Sequence, residues 1–325
     1  MMGLFDFITE KVKGKGVKIV LPEGNDFRVL GAAIRLKDND VVDPIVIGKK
    51  EDVLNLAKEN GKDASKLTIL DPAEYEELEQ LVEAFVERRK GKIDEAGARE
   101  LLLNDPNYFG TLLVFTGRAE GLVSGATRST GDTVRPALQI IKMQPGYSKT
   151  SGVFFMTKGD EQLVFADCAI TINPTAEDLA ETALISAKTA RQFNIVPKVA
   201  MLSFSTKGSA QSDEVTKVAE ATAIAKERDP ELPLDGELQF DAAYVESVGK
   251  SKAPGSTVAG FANVFIFPTL ESGNIGYKIA QRLGGYEAVG PVLQGLNAPV
   301  NDLSRGCDEE DVYKLSMVTA AQALD

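Results

Sequence analysis

The 325-residue chain has no histidine and no tryptophan, and only two cysteines. Without imidazole there can be no Ser-His-Asp or Cys-His nucleophile, no phosphohistidine and no zinc site built on His. A catalytic base must then be a carboxylate, Lys, Tyr or Cys. Cys168 and Cys307 can form at most one disulfide, and neither belongs to a CxxC. Long apolar runs are missing too: nothing approaches the roughly 18 residues of a membrane span, and even ANVFIFPTL (262–270) is broken by Pro268. The opening MMGLFDFITEKVKGKG carries Asp6 and Glu10 where a signal peptide needs a basic start and an apolar core, so a cytoplasmic, soluble protein is expected. Positive charge is in deficit, with 36 Lys and Arg against 48 Asp and Glu. The net −12 argues against a nucleic-acid or anionic-membrane surface, yet leaves room for a local group of Arg.

What is present is ordinary globular composition, 43% hydrophobic and 26% charged, in a length that suggests about two domains. Short β-branched runs alternate with helical periods. Strands are expected at VKIVLP (17–22), DPIVIG (43–48), KLTIL (66–70) and GTLLVF (110–115), with helical spacing in Phe27-Val29-Leu30-Ala33-Ile34. This is the grammar of an α/β fold with a parallel sheet wrapped by helices. AEYEELEQLVEAFVERRKGK (73–92) reads as one long helix, acidic early and basic late, and 93–105 as a shorter one. Near Met143-Gln144-Pro145-Gly146 the pattern changes to a hairpin, SGVFFMTKGDEQLVFAD, turning at Lys158-Gly159-Asp160, so a domain boundary is expected there. Beyond it βα alternation resumes: helices at 176–194, 212–229 and 274–285, strands at 198–205 and 262–268.

Two phosphate-binding fingerprints fail on inspection. Gly249-Lys250-Ser251 could end a Walker A loop, but Tyr244 stands where the first Gly is required. Gly14-Lys15-Gly16 begins like a dinucleotide fingerprint, but its third Gly position is Ile19, inside a strand. No metal-ligand spacing is present, so no metal site is expected.

Two loops carry the candidate chemistry. The first, Val123-Ser124-Gly125-Ala126-Thr127-Arg128-Ser129-Thr130, feeds a helix whose start is expected near Asp132 or Thr133, because Pro136 belongs in a first turn. Free loop N–H groups, the Ser129 and Thr130 hydroxyls and Arg128 would make an anion pocket; an ordinary capped helix after a flexible loop fits equally well. The second runs from Asn301 through Ser304 and Arg305 into a C-terminal helix (308–323). Capping by Asp308 and a dipole-favoured Asp311 explain its acids, but not the Ser-Arg pair. The run Glu87-Arg88-Arg89-Lys90-Gly91-Lys92 suits a helix C-terminus on a solvated face. Cys307 at a helix N-terminus is either an acyl acceptor or a small loop residue.

LVSGATRSTGDTVRPALQIIK, FADCAIT, MLSFSTKGSA, DGELQFDAA, NVFIFPTLESGNIGYKIAQRLGG and GPVLQGLNAPVNDLSRGC, in this order, resemble the phosphate acetyltransferase (phosphotransacetylase) family over essentially the whole chain. The length resembles its short bacterial form. The resemblance implies two three-layer α/β domains with a cleft between them, in an isocitrate/isopropylmalate dehydrogenase-like architecture. A discontinuous first domain would cover 1–142 and 298–325, and a second, dimerising domain 143–297. It also implies a homodimer that moves an acetyl group between acetyl phosphate and coenzyme A, with coenzyme A as substrate and no cofactor; a butyryl phosphate transferase or a non-catalytic phosphometabolite-binding protein are the alternatives.

Carried over by motif, the resemblance puts Ser304, Arg305 and Asp311 in catalysis. It puts Arg128 and Arg89, or Arg88 beside it, on substrate phosphates, with Ser124, Ser129, Thr130, Asn301, Arg28, Lys278 and Arg282 as further substrate-binding residues. Arg28, Arg89, Arg128 and Arg305 are expected to gather in one cleft. Asp311 would take the thiol proton, though an ordinary carboxylate lies about four pKa units below a thiol. Arg305, the Ser304 hydroxyl and loop N–H groups would stabilise the tetrahedral oxyanion.

Overall fold

The computed structural model describes residues 3–324. The chain divides into two compact units, one built from Phe5–Gln144 and the segment from Leu296 onward, the other from Pro145–Gly295. The first contains α1 (Leu4–Val12), β1 (Lys18–Leu21), α2 (Phe27–Asp38), β2 (Asp43–Ile47), α3 (Lys50–Glu59), β3 (Thr68–Leu70), α4 (Leu78–Arg89), α5 (Glu95–Asn104), α6 (Pro106–Phe115), β4 (Gly121–Ser124) and α7 (Thr130–Ile140). The second holds β5 (Ser151–Lys158), β6 (Glu161–Ala166), α8 (Ala176–Gln192), β7 (Val199–Leu202), α9 (Asp213–Arg228), β8 (Leu234–Leu238), α10 (Phe240–Tyr244), α11 (Glu246–Lys252), β9 (Val264–Ile266), α12 (Leu270–Arg282) and β10 (Glu287–Gln294). Then β11 (Val300–Asp302) and α13 (Glu309–Ala323) complete the first.

The first unit's sheet runs β11-β4-β1-β2-β3 and is parallel throughout. Residues alternate across it. Ile19 and its partner Gly121 face Thr319 of α13, whereas Val20 and Leu122 face Gly110 of α6, so helices cover both faces. Ile19, Val20 and Leu21 are fully buried, which is why β1 reads as an unbroken apolar run. The order reverses between β1 and β4, and the carboxyl ends of these two strands open the crevice where parallel sheets take ligands. The second unit's sheet runs β10-β5-β6-β9-β7-β8; the β5–β6 hairpin and β10 pair antiparallel, the rest parallel. The hairpin turns as expected at Gly159, whose φ of 59° suits glycine. A mixed α/β fold is borne out. Among the described residues no helix is long and apolar enough to cross a membrane.

Three local expectations are corrected. GTLLVF is the second half of α6, not a strand: the Asp105 side chain caps the helix through the Asn107 N–H at 2.9 Å, and Pro106 opens its first turn. Residues 107–114 are buried all round, which erases the helical period and leaves an apolar run resembling a strand. The helix expected from 73 begins at Leu78, because Tyr75 is extended and packs edge-on against Phe109 at 5.3 Å. Lastly, α7 starts at Thr130, so Pro136 lies beyond the first turn. The helical bond its missing N–H cannot make would have gone to the Asp132 carbonyl, which accepts instead from Asn107 Nδ2 at 3.0 Å.

Candidate active site

Glu23 stands two residues beyond the end of β1 and is buried beneath the loop that follows β4. Its carboxylate accepts from the N–H groups of Gly125 and Ala126 (both 2.9 Å), Thr127 (2.7 Å) and Arg128 (3.2 Å), and from the Thr127 hydroxyl at 2.7 Å. The expected pocket of free N–H groups is therefore corrected: a carboxylate of the chain itself fills it. Glu23 fixes the loop's shape through the backbone N–H groups, and the Arg128 side chain takes no part in that grip. That guanidinium, half-buried, reaches Asp105 at 3.3 Å. Ser129 donates to Asp132 at 2.7 Å within the α7 cap, and the Thr130 hydroxyl donates to Asp302 at 2.7 Å.

Arg28, in the first turn of α2, spends all five of its N–H donors inside the protein. Nε and Nη2 grip Asp26 at 3.0 and 2.8 Å, Nη2 also reaches the Ala126 carbonyl at 2.9 Å, and Nη1 donates to the carbonyls of Arg305 (3.1 Å) and Cys307 (2.8 Å). Burial works against the Asp26 carboxylate, but the hydrogen bonds from Arg28 hold it below its ordinary value. As a phosphate ligand Arg28 is corrected: with no donor left over, it is a staple between the Arg128 loop and the Ser304–Arg305 loop.

The second loop leaves β11, which pairs with β4 in register, Asp302 opposite Ser124. Its Ser304 and Arg305 are exposed, and the Arg305 guanidinium has no hydrogen-bond or ion-pair partner among the described residues. Ser304 Oγ accepts from Gly306 N at 3.2 Å. The next helix, α13, begins with a reciprocal cap, Asp311 N to Asp308 Oδ1 at 2.9 Å and Asp308 N to Asp311 Oδ2 at 3.0 Å. Asp311 is thus a cap residue with its side chain at the exposed surface. Cys307 is buried, and burial pushes its thiol up to about 11, which removes the thiolate an acyl acceptor needs.

Ser124 and Asn301 are corrected as substrate contacts, since both are fully buried. Ser124 donates to Asn107 at 2.9 Å, supporting the residue that repairs the Pro136 gap, and Asn301 donates to Thr319 and Gln322 of α13 at 2.8 and 2.7 Å. At the end of α4, Arg88 donates to the Ile140 and Ile141 carbonyls at 2.6 and 3.1 Å, capping α7, and lies 4.8 Å over the Phe115 ring. Arg89 is the arginine of the doublet left without such a tie. Its positive charge, with that of Arg135 on α7, is felt by Tyr108. Arg28 ties the Arg128 loop to the Ser304–Arg305 loop at the sheet's carboxyl edge, while Arg89 ends α4; Tyr108 feels the charge of Arg89 and also that of Asp105, the carboxylate that Arg128 reaches. Lys278 and Arg282 lie on α12 of the second unit, where Lys278 donates to Asn274 at 2.7 Å.

Three residues escaped the sequence reading. Glu23 could have been found by asking which polar residue follows the first strand at a switch point. Arg135 carried only its charge as a signal, and Asp302, buried behind the two loops, carried none.

Residues 4–320 match the model of the phosphate acetyl/butaryl transferase family. The chain is 64% identical over 324 residues to a phosphate acetyltransferase of Bacillus subtilis, covering all of both sequences. Among solved structures it resembles a phosphotransacetylase from Streptococcus pyogenes (58% identity, TM-score 0.94) and the EutD phosphotransacetylase from Staphylococcus aureus (61% identity, TM-score 0.93), each match covering 98% of both chains. A match over this length, in sequence and in backbone, places the chain in the phosphate acetyl/butaryl transferase family.

Proposed function

We propose that the protein catalyses the reversible reaction acetyl-CoA + phosphate = CoA + acetyl phosphate. The observation that carries this is full-length identity above 60% to a phosphate acetyltransferase, in a chain whose Arg128 and Ser304–Arg305 loops are stapled together by Arg28. Coenzyme A is long, with its pyrophosphate and 3′-phosphate at one end and its thiol at the other. Several arginines suit such a ligand: Arg89 at the end of α4 for the distant phosphates, Arg128 and Arg305 for the acetyl phosphate. Ser129, Lys278 and Arg282 remain candidate substrate contacts, whereas the Thr130 hydroxyl is spent on Asp302.

The thiol sulfur attacks the acetyl carbonyl carbon as the Asp311 carboxylate takes the thiol proton. The carbonyl π electrons move onto oxygen, where the Arg305 guanidinium and the Ser304 hydroxyl stabilise the charge. Collapse breaks the C–O bond to phosphate, and the proton held by Asp311 passes to the departing phosphate. No cofactor enters the balance. Asp311→Asn should slow thioester formation by about a hundredfold or more with little change in coenzyme A binding, whereas near-normal turnover would remove Asp311 from this role.

The functional reading is tested by thioester formation from coenzyme A with acetyl phosphate or butyryl phosphate, and by arsenate-dependent breakdown of acetyl-CoA. Faster turnover of acetyl phosphate supports the proposal, and preference for butyryl phosphate assigns the other branch of the family. Loss of both reactions in folded protein leaves a phosphometabolite-binding protein.

The finer architecture proposed is isocitrate/isopropylmalate dehydrogenase-like, in a cytoplasmic homodimer joined through the Pro145–Gly295 unit. In its support, α12 exposes Ile275, Ile279 and, just past its end, Leu283 at helical spacing, beside an apolar hollow lined by Phe165, Phe240 and Tyr286. Leu283→Glu should lower the mass measured by light scattering from two chains to one.

A further inference from the structure

Asp302 closes β11 and is almost wholly buried, yet among the described residues only one of its oxygens has a partner: Oδ2 accepts from the Thr130 hydroxyl at 2.7 Å, and Oδ1 has no donor. The backbone of Gly125 packs directly on that bare oxygen, so closely that a Cβ there would lie 2.6 Å from Oδ1. The Thr133 hydroxyl, one turn further along α7, is likewise buried without a partner; it lies near enough to favour the charged carboxylate, but not in hydrogen-bonding geometry. Asp302 therefore touches the pivot of the Arg128 loop and the first turn of α7, and stands two residues before Ser304.

We propose that Asp302 is a positioning residue of the transfer reaction, holding the Arg128 loop to the Ser304–Arg305 loop through Thr130 and Gly125 only while its carboxylate is ionised. The proposal rests on the acetyl-transfer reading. Ionised, Oδ2 makes a charge-assisted bond to Thr130, about twice as strong as a neutral one. Protonated, the carboxyl weakens that bond, and Oδ1 gains a hydrogen it can donate to Thr133, which draws the first turn of α7 toward a different arrangement. The groups facing Asp302 are Glu23 after β1, Ser124 on β4, and Thr130 and Thr133 on α7; the α13 residues behind β11, Thr319 and Gln322, are uncharged. Burial, with the Glu23 charge added, pushes Asp302 up to about 6, despite the opposing hydroxyls, so the two forms exchange just below neutral pH.

The test compares the full-length wild type with Asp302→Asn, which imitates the protonated form, and with Thr130→Val, which cuts the same link and leaves the carboxylate in place. In kcat/KM for acetyl-CoA formation, the wild type should show an acidic limb near pH 6. Asp302→Asn should lack that limb and fall about tenfold on the alkaline side. Thr130→Val should fall similarly, and the double variant no further. A folded Asp302→Asn protein that keeps the limb, or additive losses in the double variant, would overturn the proposal. Should Asp302→Asn fail to fold, Thr130→Val decides: undiminished turnover refutes the link. Amide exchange over residues 125–131, corrected for intrinsic rate, separates this idea from the functional reading because it needs no substrate. Protection that drops through pH 6 in the wild type supports the switch even in a protein that transfers no acetyl group; unchanged protection refutes it.

Discussion

The guanidinium of Arg28 lies in a two-pronged grip on the Asp26 carboxylate, at 3.0 and 2.8 Å, and this grip aims its remaining N–H groups at carbonyls of two separate loops. Lysine carries three donors on one atom and cannot span Ala126, Arg305 and Cys307 at once. Arg28→Lys should therefore lower kcat by about tenfold to a hundredfold, with a smaller change in KM, and cost about 1 kcal/mol of stability as partly buried carbonyls lose their donor. Steady-state kinetics and a denaturant titration check both halves.

Arg88 and Arg89 are neighbours in sequence with opposite duties. Arg88→Ala removes the donors on the α7 carbonyls and the contact with Phe115, and should cost about 1–2 kcal/mol with KM for coenzyme A little changed. Arg89→Ala should leave the melting temperature in place and raise KM for coenzyme A, the increase being largely lost with 3′-dephospho-coenzyme A. An unchanged KM for both ligands would take Arg89 out of the site.

What was legible in the sequence follows a physical line. Strands β1 and β2 announce themselves as short β-branched apolar runs buried on both faces, the hairpin by its glycine turn, and helices α8, α9 and α13 by their cap residues. Helix α6 does not, since burial on every side removes the polar face that would reveal its period. The candidate site divides in the same way. Arg128, Ser304 and Arg305 stand out as loop residues that capping does not require. The groups that shape those loops, Glu23, Arg28 and Asp302, act across 102, 277 and 172 residues of chain, in the contacts to Gly125, Arg305 and Thr130, and leave no local pattern.

A buried Cys307 with its thiol pushed up to about 11 offers almost no thiolate at neutral pH, so acetyl transfer should not pass through it. Cys307→Ala should keep turnover within about twofold, because the Arg28 bond at this position goes to the backbone carbonyl. Quenched reactions with labelled acetyl phosphate should trap no acetyl-enzyme. Abolished turnover in a folded variant would restore the covalent route.

Stability should depend on acid through Asp235, at the start of β8. It accepts from Lys207 Nζ at 2.6 Å, Lys226 Nζ at 2.9 Å and Ser256 Oγ at 2.6 Å. Burial opposes its charge, but these hydrogen bonds outweigh it and bring the carboxyl down to about 2. In the unfolded chain the same group titrates near 4, so between the two values the unfolded state holds the extra proton. The contribution is therefore complete above about pH 4 and fades as pH falls toward 2; a shift of nearly two units corresponds to about 2 kcal/mol. Asp235→Asn should lose that amount at neutral pH, and the gap in unfolding free energy from wild type should narrow as the solution is acidified below about pH 4. A gap independent of pH would mean that Asp235 acts through packing and neutral hydrogen bonding, with the two lysines contributing nothing through their charge.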